Sequence, residues 1–161
     1  MPVFVDEARA SANSRITAIR LTLLTLRCME KWRLNVKDYD SAMILVAVVA
    51  VTAERLTRAE LEEELKSIDR PMPSEQLAAC NVSSLAAATG LNRETTRRKV
   101  NALVESGFLA KSDQGVIGFA PGHLQKDYIQ DLIRSQLDSL VKTINDLARD
   151  GTVACSDGAP G

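Results

Sequence analysis

Residues 82–107 read VSSLAAATGLNRETTRRKVNALVESG, and their order predicts two helices joined by a tight turn. Gly90 ends the first helix, because a close reversal between helices needs a backbone with positive φ, which glycine adopts at little cost. Asn92 is a favourable N-cap for the second helix, and either Ser83 or Ser84 could cap the first.

The second helix is predicted over about residues 92–106 and ends at Gly107. Its predicted inward positions recur at helical spacing and are apolar except for one threonine: Leu91, Thr96, Val100 and Leu103. A buried hydroxyl needs a hydrogen-bond partner, and the carbonyl one turn back would serve Thr96. The predicted outward positions are charged except for one asparagine: Arg93, Glu94, Arg97, Arg98 and Asn101.

The residues that follow predict a small β-hairpin. Residues 108–122 read FLAKSDQGVIGFAPG, in which FLAK and VIGFA are typical of short strands and SDQG is typical of a turn. A hairpin over about 108–120 would lie directly after the second helix.

The stretch from Val82 to Gly107 resembles the helix-turn-helix of bacterial winged-helix transcription regulators. The shared order is a small residue (Ala86), a glycine four residues later, an apolar residue, a polar cap, and a helix beginning Thr-apolar-x-Arg. The family has Val or Ile where this chain has Thr96. The resemblance implies a mainly α fold, a winged helix-turn-helix over 74–122 whose hairpin is the wing, flanked by N-terminal helices and a long C-terminal helix.

Charge is concentrated on the second helix. Residues 92–111 hold five basic and two acidic residues, a net charge of +3, whereas the whole chain has a net charge of −1. In the family, this helix is the recognition helix and enters the major groove of DNA with its N-terminal end nearest the bases. Arginine can bind guanine at two atoms, and asparagine can pair with adenine. The predicted base-reading residues are Asn92, Arg93, Glu94 and Arg97.

The other predicted DNA contacts are to phosphates. Thr95, Arg98 and Lys99 are placed to hold the backbone, as is Ser83 at the start of the first helix. On the wing, Lys111, Ser112 and Gln114 could contact the backbone or the minor groove.

Two alternatives to DNA binding remain open at this point. The segment TTRRK (95–99) could be an ordinary solvated basic face of a helix. A winged helix could also serve as an adaptor domain that binds protein instead of DNA, and the net charge of −1 is compatible with that.

Helices are predicted on both sides of the motif. A helix over 14–33 follows a flexible leader (1–13), and a second, about 38–56, is apolar all round and belongs in the core, with Asp38 or Asp40 as its cap. An acidic helix over 57–69 begins at the capping box formed by Thr57 and Glu60.

A long helix over 124–149 precedes a disordered tail, 150–161. Regulators similar to the multiple-antibiotic-resistance repressors dimerise through helices at both chain ends, so we expect a homodimer through 14–33 and 124–149. Alternatively, the long helix covers the hydrophobic core of its own chain and does not form a dimer interface.

Composition predicts a non-enzymatic protein of the cytoplasm. The single histidine leaves little acid–base chemistry near neutral pH, and no phosphate loop or metal-ligand cluster is visible, so we expect no cofactor and no metal. Three scattered cysteines argue for reduced thiols. The longest apolar run, 42–51, is shorter than the roughly 20 residues of a membrane span, and residues 1–15 do not read as a signal peptide.

A small-molecule effector is a further hypothesis. Four side chains between the end helices could line a pocket for it, although such a set is more often ordinary core: Met29, Trp32, Tyr39 and Met43.

Overall fold

The computed structural model describes residues 2–58 and 61–155. The fold is mainly helical, as predicted, with two small antiparallel sheets of two strands each in this part of the chain. The helices are α1 (Glu7–Ala12), α2 (Ser14–Arg33), α3 (Tyr39–Thr52), α4 (Val82–Thr89), α5 (Arg93–Glu105) and α6 (Asp127–Arg149). The strands are β1 (Val3–Val5), β2 (Leu109–Lys111), β3 (Ile117–Phe119) and β4 (Val153–Cys155).

The described residues form two compact units. One contains residues 32–130, and the other contains 2–31 together with 131–155. The predicted DNA-binding residues all lie in the first unit, which we call the central unit. The second is called the terminal unit because both ends of the described chain belong to it.

Helix α3 is the core of the central unit. Its sequence is apolar on every face, and Ile44 and Val48 are completely buried among α4, α5 and the strand β3. Asp38 is the N-cap, and its carboxylate accepts a hydrogen bond of 2.8 Å from the Ser41 N–H. The sequence left Asp38 and Asp40 as alternatives, and the structure assigns the role to Asp38.

Helices α4 and α5 are joined by the tight turn predicted from the glycine. Gly90 has φ of +73°, and its N–H donates to the Ala86 carbonyl at 2.9 Å. The prediction of Ser83 or Ser84 as N-cap of α4 is wrong. Asn81 is the cap, because its side chain accepts from the N–H groups of both serines, while the Ser84 hydroxyl accepts from the Asn81 N–H.

The buried face of α5 follows the predicted spacing. Thr96, Val100 and Leu103 are buried, and Asn92 caps the helix by accepting from the Thr95 N–H at 2.7 Å. The Thr96 hydroxyl donates to the Asn92 carbonyl, one turn back, at 3.0 Å. A threonine is therefore accommodated in this core without an unpaired polar atom.

Strands β2 and β3 form a hairpin that is tied to both helices. Leu109 pairs with Phe119, and Lys111 pairs with Ile117. The Ile117 N–H also donates to the Cys80 carbonyl, just before α4, at 2.8 Å. At the other end, the Phe108 N–H donates to the Leu103 carbonyl at 2.9 Å. These bonds fix the hairpin beside the start of α4 and the end of α5.

The terminal unit is joined by contacts between the two ends of the chain. β1 pairs with β4 in antiparallel register, with Phe4 opposite Ala154. The guanidinium of Arg20 forms an ion pair with the Asp150 carboxylate, and the Asn13 side-chain amide donates to the Asp150 carbonyl at 3.2 Å.

Three predictions about flanking segments are wrong. The expected flexible leader (1–13) contains β1 and α1, and the expected disordered tail contains β4 at its start, because these distant segments pair with each other. Residues 156–161 of that tail lie outside the described residues. The expected helix over 57–69 is replaced by short 3₁₀ helices, Ala53–Arg58 and Glu63–Leu65. In the sequence, Glu60 and Glu64 are like charges four residues apart, a spacing that disfavours a helix, and the apolar stripe is narrow. Glu60, which belongs to the expected capping box, lies outside the described residues.

Within the described residues, no helix is both long and apolar enough to cross a bilayer.

Gly90→Ala is expected to lower the free energy of unfolding by about 1 kcal/mol, because an L-residue is strained at positive φ. Gly118→Ala is the control, since Gly118 does not have positive φ and a Cβ would have open space at both positions. Urea unfolding followed by fluorescence of Trp32, the single tryptophan, reports on the central unit. Equal losses for the two variants would contradict the proposed strain at Gly90.

Candidate nucleic-acid interface

The solvent face of α5 presents most of the predicted base-reading residues. Arg93, Glu94, Arg97 and Arg98 are all exposed, because the helix buries only its opposite face against α3 and α4. Three guanidinium groups therefore lie on one surface of the central unit. This surface is continuous with the start of α5, where Arg93 is the first helical residue.

A cleft of about 350 Å³ opens where α4, α5 and the hairpin meet. Its lining residues are Asn81, Val82, Ser83, Arg93, Lys111, Gln114 and Gly115. We call this the basic cleft, because two of the seven lining residues are cationic and none is acidic. Four of the predicted DNA contacts, from three separate segments of the sequence, thus meet at one place: Ser83, Arg93, Lys111 and Gln114.

The basic cleft is chemically suited to an oxyanion such as a phosphate. Arg93 and Lys111 supply positive charge, and the Ser83 hydroxyl supplies a hydrogen-bond donor. The N-terminal end of α4 also lies at the cleft, since Val82 and Ser83 are its first two residues, and the helix dipole adds positive potential there.

Glu94 and Arg97 form a forked ion pair on the exposed face. The Arg97 Nε and Nη2 atoms donate to the two Glu94 carboxylate oxygens at 3.0 and 2.7 Å, and the side chains are 58% and 72% exposed, respectively. Hydrogen bonds from Arg97 lower the pKa of Glu94, so the carboxylate is ionised at neutral pH. An anionic ligand must compete with Glu94 for Arg97, whereas Arg93 and Arg98 do not form this pair.

Lys99 points away from the exposed basic face. Its ammonium group lies 2.6 Å from the Asp38 carboxylate at the start of α3, and its side chain is only 19% exposed. Burial alone would raise the pKa of Asp38, but hydrogen bonds from Lys99 and Ser41 outweigh burial and lower it below 3.8. Lys99 is therefore bound to Asp38 at the edge of the core, and it does not share the exposed face of Arg97 and Arg98.

The remaining predicted contacts are less exposed to a ligand or lie outside the basic cleft. The side-chain oxygen of Asn92 is used to cap α5, which leaves its NH₂ group to face outward. Thr95 is half-buried. Ser112 does not line the cleft and lies in the hairpin turn, where its hydroxyl accepts from the Val116 N–H at 3.1 Å.

The hypothetical effector pocket is not assembled in one unit. Met29 belongs to the terminal unit, whereas Trp32, Tyr39 and Met43 belong to the central unit. Trp32 packs against the hydrophobic core, and the exposed Tyr39 ring lies under the Arg33 guanidinium at 5.5 Å. Trp32 is therefore a core-packing residue, and Tyr39 stacks with Arg33 at the surface.

The single histidine, His123, is not among the predicted site residues, and a histidine in such a connecting segment is ordinarily solvated. His123 is only 3% exposed and lies between the aromatic rings of Phe108 and Phe119. No helical or strand periodicity marks this position. The sequence signal that could have indicated burial is the number of aromatic residues nearby. The chain holds six Phe, Tyr and Trp residues, and three of them contact this histidine.

Comparison of the chain with models of known protein families, with curated proteins and with solved structures gave no match. Among residues 2–58 and 61–155, no group of three or more His, Cys, Asp or Glu side chains could hold a metal ion.

Lys99→Met is expected to lower the free energy of unfolding by about 1 kcal/mol, because Asp38 loses a partly buried partner. The lowered pKa of Asp38 makes this contribution complete above pH 3.8 and removes it as the pH falls through the folded-state pKa. Urea unfolding of both proteins at pH 7 and pH 3 would measure the difference at each pH.

Arg98→Met is the matched control, since Arg98 is exposed and its neighbour Lys99 is the residue that pairs with Asp38. Equal stabilities of Lys99→Met and Arg98→Met at pH 7 would show that the Lys99–Asp38 pair does not stabilise the fold.

Proposed function

We propose that this chain is a winged-helix transcription regulator that binds double-stranded DNA as a homodimer. In this proposal α5 is the recognition helix, and the β2–β3 hairpin is the wing. The observation that carries it is the basic cleft, where Ser83, Arg93, Lys111 and Gln114 converge beside the arginines of α5.

In this proposal, different residues contact the bases and the phosphate backbone of the DNA. With the exposed face of α5 in the major groove, Arg93, Arg97 and Glu94 would reach base edges near the start of the helix. A backbone phosphate would occupy the basic cleft, held by Lys111 and the N-terminal end of α4. Arg98 would bind a neighbouring phosphate, while Lys99 stays paired with Asp38.

The terminal unit supports the homodimer. None of the 20 residues of α2 is buried, and its apolar residues Ile16, Ile19, Leu23 and Leu26 step by three and four like a helix-packing seam. The exposed residues Ile133, Leu137, Leu140 and Ile144 repeat this spacing on α6.

The exposed apolar surface is of the size that dimerisation requires. Thirteen large apolar side chains of the terminal unit, three of them in β1, are between 38% and 57% exposed. A stable interface buries about 800 Å² on each partner, and thirteen such side chains offer an area of that order. A second copy of the chain provides the same seams, and a two-fold axis would present two recognition helices to two half-sites.

Replacing Arg97 and Arg98 by Ala is expected to weaken binding to random-sequence duplex DNA and to reduce the slope of log affinity against log salt by about one, because Arg98 is the phosphate contact of the two and each phosphate neutralised contributes about 0.9. Arg93→Ala/Lys111→Ala should have a similar effect through the basic cleft. Fluorescence anisotropy over a salt series measures both quantities.

Lys37→Ala/Lys142→Ala is the control, because it removes the same charge from exposed positions outside the cleft and α5. Equal losses in all three double variants would indicate a non-specific charge effect. If the folded wild type fails to bind DNA even at low salt, the proposal is wrong, and an adaptor that binds protein becomes the better interpretation.

Leu137→Lys is expected to dissociate the homodimer and to lower DNA affinity, because it places a charge in the apolar seam of α6. Asn145→Lys, at an exposed polar position of the same helix, should leave the dimer intact. Sedimentation velocity at several protein concentrations measures the oligomeric state. A monomeric wild type at micromolar concentration would exclude this interface.

A further inference from the structure

His123 occupies a junction between three parts of the central unit. Its Nδ1 atom lies 3.1 Å from the carbonyl oxygen of Gly107, which follows α5. The centroid of its ring lies 4.9 Å from the Phe108 ring centroid and 5.9 Å from the Phe119 ring centroid, at the base of the hairpin. Its Nε2 atom forms a short hydrogen bond with the hydroxyl of Tyr128, in the first turn of α6.

These contacts define one protonation state of the ring. A carbonyl oxygen can only accept a hydrogen bond, so Nδ1 carries the proton and donates to Gly107. Nε2 then has a free lone pair and accepts from the Tyr128 hydroxyl. Both nitrogens of a neutral imidazole are thus satisfied at a site that water scarcely reaches, since the residue is 3% exposed.

A second proton on the ring would reverse the hydrogen bond with Tyr128 and place a positive charge at this buried site. It would sit on Nε2 and point at the Tyr128 hydroxyl, which would have to turn its own hydrogen away and become an acceptor. The titratable or charged groups that face the ring are Tyr128 and the ammonium of Lys126, while its other neighbours are Gly107 and two phenylalanines. Lys126 repels the imidazolium, and neither neighbouring group compensates its charge at neutral pH.

We propose that His123 is a positioning residue whose neutral ring holds the end of α5 and the base of the hairpin to Tyr128 in the first turn of α6, so that acidification releases this junction and weakens DNA binding. The DNA-binding part of this inference rests on the proposed function. The junction itself rests only on the contacts around the ring.

The direction of the pH effect separates this mechanism from ordinary electrostatics. Adding positive charge to a DNA-binding protein normally raises its affinity, so a simple charge effect predicts tighter binding at lower pH. Burial, followed by the charge of Lys126, lowers the pKa of His123 below 6.5, against an opposing effect of the Gly107 carbonyl. The junction is therefore complete above pH 6.5 and is lost as the pH falls through the lower, folded-state pKa.

The experiment uses the 161-residue chain without a tag, in which His123 is the single histidine. Affinity for random-sequence duplex DNA is measured from pH 7.5 to pH 5.0 at constant ionic strength, and the histidine ring is titrated by NMR. Wild-type affinity is expected to fall about three- to tenfold over this range, with the midpoint at the His123 pKa. His123→Gln, which has no titratable group in this range, should not show the fall.

Lys126→Gln should move the midpoint to higher pH, because it removes the like charge that faces the ring. Lys142→Gln is its matched control, since it removes the same charge from an exposed position on α6, away from the ring. This pair also decides the question if His123→Gln fails to fold.

Three results would overturn the inference. The first is wild-type affinity that rises on acidification, the second is a fall that persists in His123→Gln, and the third is an equal midpoint in Lys126→Gln and Lys142→Gln. If the wild type binds no DNA at any pH, the proposed function fails, and NMR still tests the junction. Resonances of Gly107, Phe108 and Phe119 that shift together with His123 would support it, and a histidine titration at pH 6.5 without those shifts would refute it.

Discussion

The burial of α3 is the constraint on which the central unit depends. A helix that is apolar on every side is stable only when most of its surface is covered, and α4, α5 and β3 supply much of that cover. Helix α5 contributes mainly the face that carries Thr96, Val100 and Leu103, because most of its other positions are charged or polar. The arginines therefore face solvent as a direct consequence of how the core is closed.

The hairpin turns this charged helix face into a shaped surface. The bond from the Ile117 N–H to the Cys80 carbonyl holds the hairpin beside the start of α4, and this places Lys111 across the cleft from Arg93 and Ser83. Without the hairpin beside α4 and α5, the cations would be separate surface charges, each strongly screened by salt. Their convergence beside a helix N-terminus is what favours a phosphate ligand over a merely solvated basic face.

Cations that look equivalent in the sequence have different roles in the structure. Arg93 and Arg98 are exposed, Arg97 is paired with Glu94, and Lys99 is paired with Asp38 at the edge of the core. The net charge of +3 over 92–111 therefore overstates the charge immediately available to an anion. The Glu94–Arg97 pair also disfavours indiscriminate phosphate binding, which is compatible with a protein that selects among DNA sequences.

Local patterns in the sequence were sufficient to predict the helix pair, its glycine turn, the Asn92 cap, the buried face of α5 and the hairpin, because each depends on hydrogen bonds and spacing within a few residues. Only the tertiary structure decided the pairing of β1 with β4, the pairing of Lys99 with Asp38 and the burial of His123. These contacts join segments that are distant in sequence, except around His123, where chain reversal brings Gly107 and Tyr128 to opposite sides of one ring. Residue type and local spacing cannot predict such partners, because these contacts form only when folding brings the segments together.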